Sequence, residues 1–266
     1  MTTLADTITK KMGFLLDMDG VIYIGKESIP GGQEFVDYLV ENAIPFLFLT
    51  NNSRPTTQDI AHRLKKIGYN VTKNHIYTSA MATAQFLASQ RPGGSAFVIG
   101  EGGLCQALYD HGHAIDDTSP ENVVVGEGRT LTLEIVEKAI DMIIGGSKLI
   151  ATNLDPAPRI PGWTKPGTGA VIAMLEAATG VKAFSVGKPS PIMMRFARKE
   201  LGLQTSETIM IGDTMETDIL GGVSMGYKTI LTLTGSTKAE ELSHYPYRPY
   251  LVINSIADMI DILKAQ

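Results

Sequence analysis

The feature that most constrains this chain is a repeated break: short apolar runs stop abruptly at polar or acidic residues, and helical spacing fills the gaps between them. Gly13-Phe14-Leu15-Leu16 ends at Asp17-Met18-Asp19-Gly20, and Phe46-Leu47-Phe48-Leu49 ends at Thr50-Asn51-Asn52-Ser53. Within 31–42, Phe35, Val36, Leu39 and Val40 recur at the spacing of one helix face. Ile60, Leu64 and Ile67 mark another helix, which Gly68 closes. The alternation returns late in the chain. Thr208-Ile209-Met210-Ile211 ends in Gly212-Asp213, the run 228–233 ends in Thr234-Gly235, and Leu251-Val252-Ile253 ends in Asn254-Ser255. Strand–helix alternation predicts a doubly wound α/β fold, a parallel sheet with covering helices. Strands buried on both faces read as continuous apolar runs, as these do. Ligands of such sheets gather at the carboxyl ends of the strands, so distant segments would meet in one site.

The middle of the chain reads as a second unit. Ala96-Phe97-Val98-Ile99 ends in Gly100-Glu101-Gly102, and Val123-Val124-Val125 ends in Gly126-Glu127-Gly128, an echo that suggests two related βα units. A strand at 148–152, a Pro/Gly-rich loop at 156–169 and a helix through Met174 and Ala178 follow. The expected organisation is a Rossmann-like core of residues 1–79 and 184–266, with an inserted α/β domain at 80–183. A length of 266 residues fits about two domains.

Composition excludes several classes. A 44% hydrophobic content supports a packed core rather than a disordered chain. Lys and Arg total 23 against 28 Asp and Glu, a net charge of −5 with no basic block, which argues against a nucleic-acid polymer as partner. A small phosphorylated substrate stays open wherever local positive charge meets it. The single cysteine, Cys105, allows neither an internal disulfide nor a cysteine zinc cage and suits a reducing compartment. The apolar stretches at 46–49 and 142–144 fall far short of the ~20 residues that span a bilayer. Residues 1–6 lack the basic start and long apolar run of a signal peptide, so a cytoplasmic protein without a membrane partner is expected.

The acidic pair carries the chemistry. Carboxylates two residues apart on extended backbone point to the same side, and Asp17 and Asp19 stand just past a strand end. Alone, the pair would read as turn residues. Its company is Thr50-Asn51, Lys188 in Gly187-Lys188-Pro189, and Gly212-Asp213 with Asp218. In that order the four pieces resemble the motifs of the haloacid dehalogenase (HAD) superfamily, and the resemblance covers essentially the whole chain. Asp17-Met18-Asp19-Gly20-Val21-Ile22-Tyr23 is similar to its first motif, Leu49-Thr50-Asn51 to its second, Lys188 to its third, and Asp213 with Asp218 to its fourth. Tyr77 to Ala84, Val98 to Gly102, Ala151 to Asp155 and Gly187 to Pro191 resemble the NagD group, which carries an α/β (C2-type) cap after the second motif.

The resemblance implies a phosphomonoester hydrolase acting on small phosphorylated metabolites, nucleoside monophosphates such as UMP or GMP first among them. Sugar phosphates, glycerol phosphate and phosphoglycolate are the alternatives, and a non-catalytic nucleotide-binding module is the alternative of another class. Electrostatics agrees that a cation is needed. Two unit charges ~4 Å apart at an effective dielectric of ~20 repel by about 4 kcal/mol, and Asp17, Asp19 and Asp213 would meet a phosphate dianion. Mg²⁺ fits an oxygen-only donor set, with no cysteine or histidine beside it to favour zinc. The expected metal set is Asp17, Asp213 and the backbone carbonyl of Asp19, with Asp218 supporting the metal or Lys188. Asp17 would be the nucleophile and Asp19 the acid and base. Thr50, Asn51 and Lys188 would hold the phosphoryl oxygens.

Further residues come with two readings. By resemblance Thr214, Met215, Glu216 and Thr217 lie beside the substrate, and Thr214 is equally a helix N-cap. Asn153 and Asp155 would face the leaving group, or form an Asx-rich turn. Trp163 would stack on a base or pack in place, Cys105 reads as a small core residue, and His111 and His113 read as a loop pair rather than metal ligands. The 100–103 stretch lacks the full dinucleotide-binding spacing. The tyrosine–proline run at 245–250 reads as a connection to the last strand, and a homo-oligomer is left open.

Overall fold

The structure, a computed structural model, describes residues 12–157 and 165–264. Trp163 and part of the Pro/Gly-rich loop lie outside the described residues. In chain order the strands are β1 (Gly13–Leu16), β2 (Tyr23–Ile24), β3 (Glu27–Ser28), β4 (Phe46–Thr50), β5 (Ile76–Thr78), β6 (Ser95–Ile99) and β7 (Ala114–Ile115). There follow β8 (Asn122–Val125), β9 (Lys148–Ala151), β10 (Phe184–Ser185), β11 (Thr208–Gly212), β12 (Lys228–Thr232) and β13 (Leu251–Ile253). The helices are α1 (Gly32–Glu41), α2 (Thr57–Lys66), α3 (Ser79–Gln90), α4 (Gly102–Asp110), α5 (Leu133–Ile144), α6 (Thr168–Thr179), α7 (Pro191–Glu200), α8 (Leu220–Ser224) and α9 (Asp258–Lys264). Contacts divide the chain into two compact units. The first takes Met1–Thr50, Gln58–Tyr77 and Met194–Gln266; the second takes Asn51–Thr57 and Thr78–Met193.

The sheet of the first unit runs β13-β12-β11-β1-β4-β5. β1 pairs in parallel with β11 and with β4, and β11, β12 and β13 continue in parallel. The chain therefore steps one way from β1 to β5 and the other way from β11 to β13. That reversal opens a crevice beside the carboxyl ends of β1 and β11, the place where open α/β sheets bind ligands. Asp17 follows β1, Thr50 ends β4 and Asp213 follows β11, so the residues of interest stand at that edge. Every residue of β1 and β11 is buried, which is why both strands are apolar on both faces. Helices of about ten residues are marginal alone and depend on packing. Phe35, Val36 and Leu39 of α1, Ile60 and Leu64 of α2, and Met259 and Leu263 of α9 supply it against Phe14, Leu16, Phe46 and Phe48.

The second unit has a sheet of its own, ordered β10-β9-β8-β6-β7 and parallel throughout. Phe97 and Ile99, Val123 and Val125, and Leu149 and Ala151 present one face to Val136 and Ile143 of α5 and to Ile172 and Leu175 of α6. The echoing Gly-Glu-Gly loops serve a common purpose. Gly103, where α4 begins, donates its N–H to the Arg54 carbonyl at 2.9 Å, and a Cβ on it would overlap Pro55. Glu127 donates its N–H to Ser53 Oγ at 2.8 Å, and a Cβ on Gly126 would lie 2.6 Å from that oxygen. Both loops are thus small because the segment after β4 lies directly on them. This gives the 100–103 stretch a packing reason rather than a dinucleotide one. Among the described residues no helix is long and apolar enough to cross a membrane.

Candidate active site

In the first unit Asp17, Asp213 and Asp218 each bring a carboxylate oxygen within 4.8 Å of the others. Asp213 is almost wholly buried and firmly held. The Ser236 N–H donates to its Oδ2 at 2.5 Å, the Thr214 hydroxyl donates to Oδ1 at 3.2 Å, and the Thr237 N–H donates to its carbonyl at 3.1 Å. Two glycines make the room. A Cβ on Gly20, whose φ is +83°, would lie 2.7 Å from Asp213 Oδ2, and one on Gly235 would overlap the same carboxylate. The Thr234 hydroxyl donates to the Gly20 carbonyl at 2.6 Å, which ties the turn after β1 to the loop after β12. Asp218 projects from a π-type turn, Met215–Ile219, a form common at functional sites. Its Oδ2 accepts the Thr214 N–H at 3.2 Å, and a side chain on Gly212 would collide with it. Three carboxylates this close repel one another unless a cation is present. Their oxygen-only chemistry, without His or Cys in the cluster, fits Mg²⁺.

Asp19 is placed differently. Its side chain reaches solvent and is not part of the cluster. Its carboxyl is nonetheless raised above the ordinary value, by desolvation first and by the Asp213 charge second, against the lowering influence of Arg63 and the backbone of Gly25 and Gly20. Arg63, on α2, donates to the Tyr23 hydroxyl at 3.1 Å and lies 5.5 Å from that ring's centre. Burial pushes the Tyr23 phenol up to about 12, so the ring stays neutral.

The second unit brings together Asn51, Asn153, Asp155 and Lys188. Asn51 Nδ2 donates to Asp155 Oδ2 at 3.0 Å and to the Lys188 carbonyl at 3.1 Å, while its Oδ1 accepts the Lys188 N–H at 2.8 Å. The carboxamide of Asn51 is therefore fully engaged with protein. The backbone carbonyl of Asn51 accepts from Ser79 Oγ at 2.6 Å and from Asn153 Nδ2 at 2.8 Å. Asn153 is fully buried, and its Oδ1 accepts the Asp155 N–H at 3.0 Å, which is the Asx-turn geometry. Gly187 lets the strands approach, because a Cβ there would lie 2.7 Å from Asn51 Oδ1. Lys188 is buried, as is Thr50 at the end of β4.

Other expectations need correction. Thr214 stands at the N-terminal position of its turn but makes no side-chain cap there, because its hydroxyl turns to Asp213. Met215 has a fully buried side chain, packed with Ile219 and Leu231, so that side chain does not face a substrate. Glu216 accepts the Tyr245 hydroxyl at 2.7 Å, and Tyr247 donates to the Met215 carbonyl at 3.1 Å. The tyrosine run thus braces the turn that carries Asp218. Thr217 is half-buried on the same turn. His111 and His113 do lie in the connection between α4 and β7, where His111 Nδ1 is 2.8 Å from the Ala107 carbonyl and His113 is buried rather than exposed. Cys105 is only half-buried. Sequence reasoning overlooked Ser236, Thr237, Arg63 and the bracing tyrosines. The polar stop after β12 was the one available signal for the first two.

Comparison with known proteins identifies the family. The family description "Haloacid dehalogenase-like hydrolase" matches residues 14–114, and "HAD-hydrolase-like" matches 185–259. The chain is 44% identical to the dihydroxyacetone phosphatase of Corynebacterium glutamicum over 96% of this chain and 92% of that one. It is 39% identical to the ribonucleotide monophosphatase NagD of Escherichia coli K12, over 94% and 98% of the two chains. The solved 4-nitrophenylphosphatase of Thermotoga maritima superposes with a TM-score of 0.91 at 32% identity, covering 96% of this chain and 98% of that one. The chain belongs to the NagD-like phosphatases of the haloacid dehalogenase superfamily.

Proposed function

We propose that this phosphatase hydrolyses small phosphorylated metabolites in two steps through an aspartyl-phosphate on Asp17, with nucleoside monophosphates such as UMP and GMP as its main substrates. The observation that carries the reading is the cluster of Asp17, Asp213 and Asp218 oxygens at the edge where the sheet changes direction. Asp17, Asp213 and the Asp19 carbonyl, with Asp218 alongside, would hold Mg²⁺, which when bound offsets the charge of the phosphoryl group. Asp17 attacks phosphorus, and the ester P–O bond breaks. Asp19 gives its proton to the leaving alkoxide. A carboxyl raised above its usual range keeps that proton longer, as this step requires. Asp19 then takes a proton from water, the resulting hydroxide attacks the acyl phosphate, and inorganic phosphate leaves as the Asp17 carboxylate re-forms. Thr50 and Lys188 hold the phosphoryl oxygens, with Lys188 as a point charge.

In this reading residues 80–183 form the cap that sets specificity for a core of 1–79 and 184–266, in a cytoplasmic enzyme. A triose phosphate is the second reading, favoured by the 44% identity to a dihydroxyacetone phosphatase. The test is phosphate release with Mg²⁺ from UMP, GMP, dihydroxyacetone phosphate, glycerol phosphate and phosphoglycolate, ranked by kcat/KM. UMP or GMP should lead, and a lead for dihydroxyacetone phosphate would move the assignment to the second reading. Asp17→Asn should abolish turnover on every ester while the protein stays folded. Substantial residual turnover would overturn the nucleophile.

A further inference from the structure

We propose that Asn51 is a positioning residue that links Asp155 to Lys188, so that one carboxamide fixes the lysine of the phosphate site and the acidic residue of the loop after β9. The inference deepens the proposed function and rests on its reading of Lys188 as a phosphate holder. A primary carboxamide offers two N–H donors and one oxygen acceptor. Asn51 spends one donor and its acceptor on the backbone of a single residue, Lys188, at 3.1 and 2.8 Å. Such a reciprocal pair fixes both the position and the orientation of that peptide unit. The remaining donor goes to Asp155 Oδ2 at 3.0 Å, a charge-assisted bond.

The main chain that carries this carboxamide is anchored too, through the backbone carbonyl of Asn51. Ser79 Oγ and Asn153 Nδ2 both donate to the Asn51 carbonyl, at 2.6 and 2.8 Å, and Asn153 also receives the Asp155 N–H. Asn51 and Lys188 are 8% and 4% exposed, so water competes weakly for these bonds. Asn51 directly follows Thr50 in the chain, and its side chain reaches residues 104 and 137 positions away. A change at Asp155, such as engagement with a leaving group, must therefore alter a bond on the amide that orients Lys188.

The experiment measures the affinity of inorganic phosphate with Mg²⁺ by calorimetry, alongside kcat/KM, in a double-mutant cycle. Asn51→Ala and Asn51→Asp should each weaken phosphate by roughly tenfold, the effect of losing about 1.4 kcal/mol of positioning. Asp155→Ala should weaken it about threefold in the wild-type background and hardly at all with Asn51→Ala, because coupled residues are not additive. Asp155→Asn retains an acceptor and should restore phosphate affinity to within about twofold of wild type. Phosphate affinity unchanged in either folded Asn51 variant, or equal effects of Asp155→Ala in both backgrounds, would overturn the link. Where neither Asn51 variant folds, Asp155→Ala against Asp155→Asn decides, and equal phosphate affinity in those two overturns it. A wild-type protein that neither binds phosphate nor hydrolyses any ester removes the phosphatase reading and the link together, a result distinct from an active enzyme indifferent to Asn51.

Discussion

At the scale of single residues, the acidic cluster depends on atoms that are missing as much as on those present. Gly235 and Gly20 leave the space in which the Asp213 carboxylate turns toward Asp17 and Asp218. A methyl group on Gly235 would meet that carboxylate while it is held by the Ser236 N–H, so one of the two must move. Displacing a catalytic group by ~1 Å can cost on the order of 100-fold in rate. Gly235→Ala should therefore lower kcat/KM by at least about tenfold and raise the Mg²⁺ concentration that gives half-maximal activity. Gly102→Ala is the matched control, because nothing lies within 4 Å of a Cβ there. Equal behaviour of the two variants in a magnesium titration would show that the space beside Asp213 is unimportant.

At the scale of elements, the bracing of the Met215–Ile219 turn by the tyrosine run is the feature with the clearest consequence. The turn is short and π-wound, and by itself would not hold Asp218 in place. Tyr245 and Tyr247 fasten it at Glu216 and Met215, and their rings add to the cluster of Met215, Ile219 and Leu231. Tyr245→Phe removes one hydrogen bond at nearly constant volume, a loss of about 1 kcal/mol. It should raise the half-saturating Mg²⁺ concentration several-fold with little change in KM for the ester. A lower thermal midpoint with unchanged magnesium dependence would reduce the tyrosine to ordinary packing. Nothing local in the sequence announces this brace, since Tyr245 and Glu216 are 29 residues apart and neither belongs to a periodic pattern. The strands, by contrast, were legible because burial on both faces forces an unbroken apolar run, as in β1 and β11. α1 and α2 were legible because Phe35, Leu39, Ile60 and Leu64 keep helical spacing. Asp17, Asp213 and Asp218 could be picked out by their position after such runs. The engagement of Asn51 could not, because hydrogen bonds spanning more than a hundred residues leave no trace in spacing.

For the whole molecule, a cation held by the carboxylate cluster, as proposed, would couple metal binding to folding. The chain carries a net charge of −5, and three of its negative charges are concentrated at the carboxyl edge of one sheet. Without a cation their mutual repulsion opposes the folded state, because unfolding separates them. A ligand that binds only the folded form stabilises it by about 2.7 kcal/mol at a hundred times its Kd. Magnesium should thus raise the thermal midpoint in proportion to the logarithm of its concentration above Kd, and excess EDTA should return that midpoint to the metal-free value. Asp213→Asn separates the two effects. It removes one of the repelling charges and keeps the shape of the side chain, so the metal-free variant should be no less stable than the metal-free wild type. The same variant should lose most of the magnesium-dependent rise, since a neutral amide is a poor ligand for a hard cation. A variant that is destabilised without metal yet keeps the full rise would mean that Asp213 stabilises the fold through its hydrogen bonds to Ser236 and Thr214 and that the cation is held elsewhere.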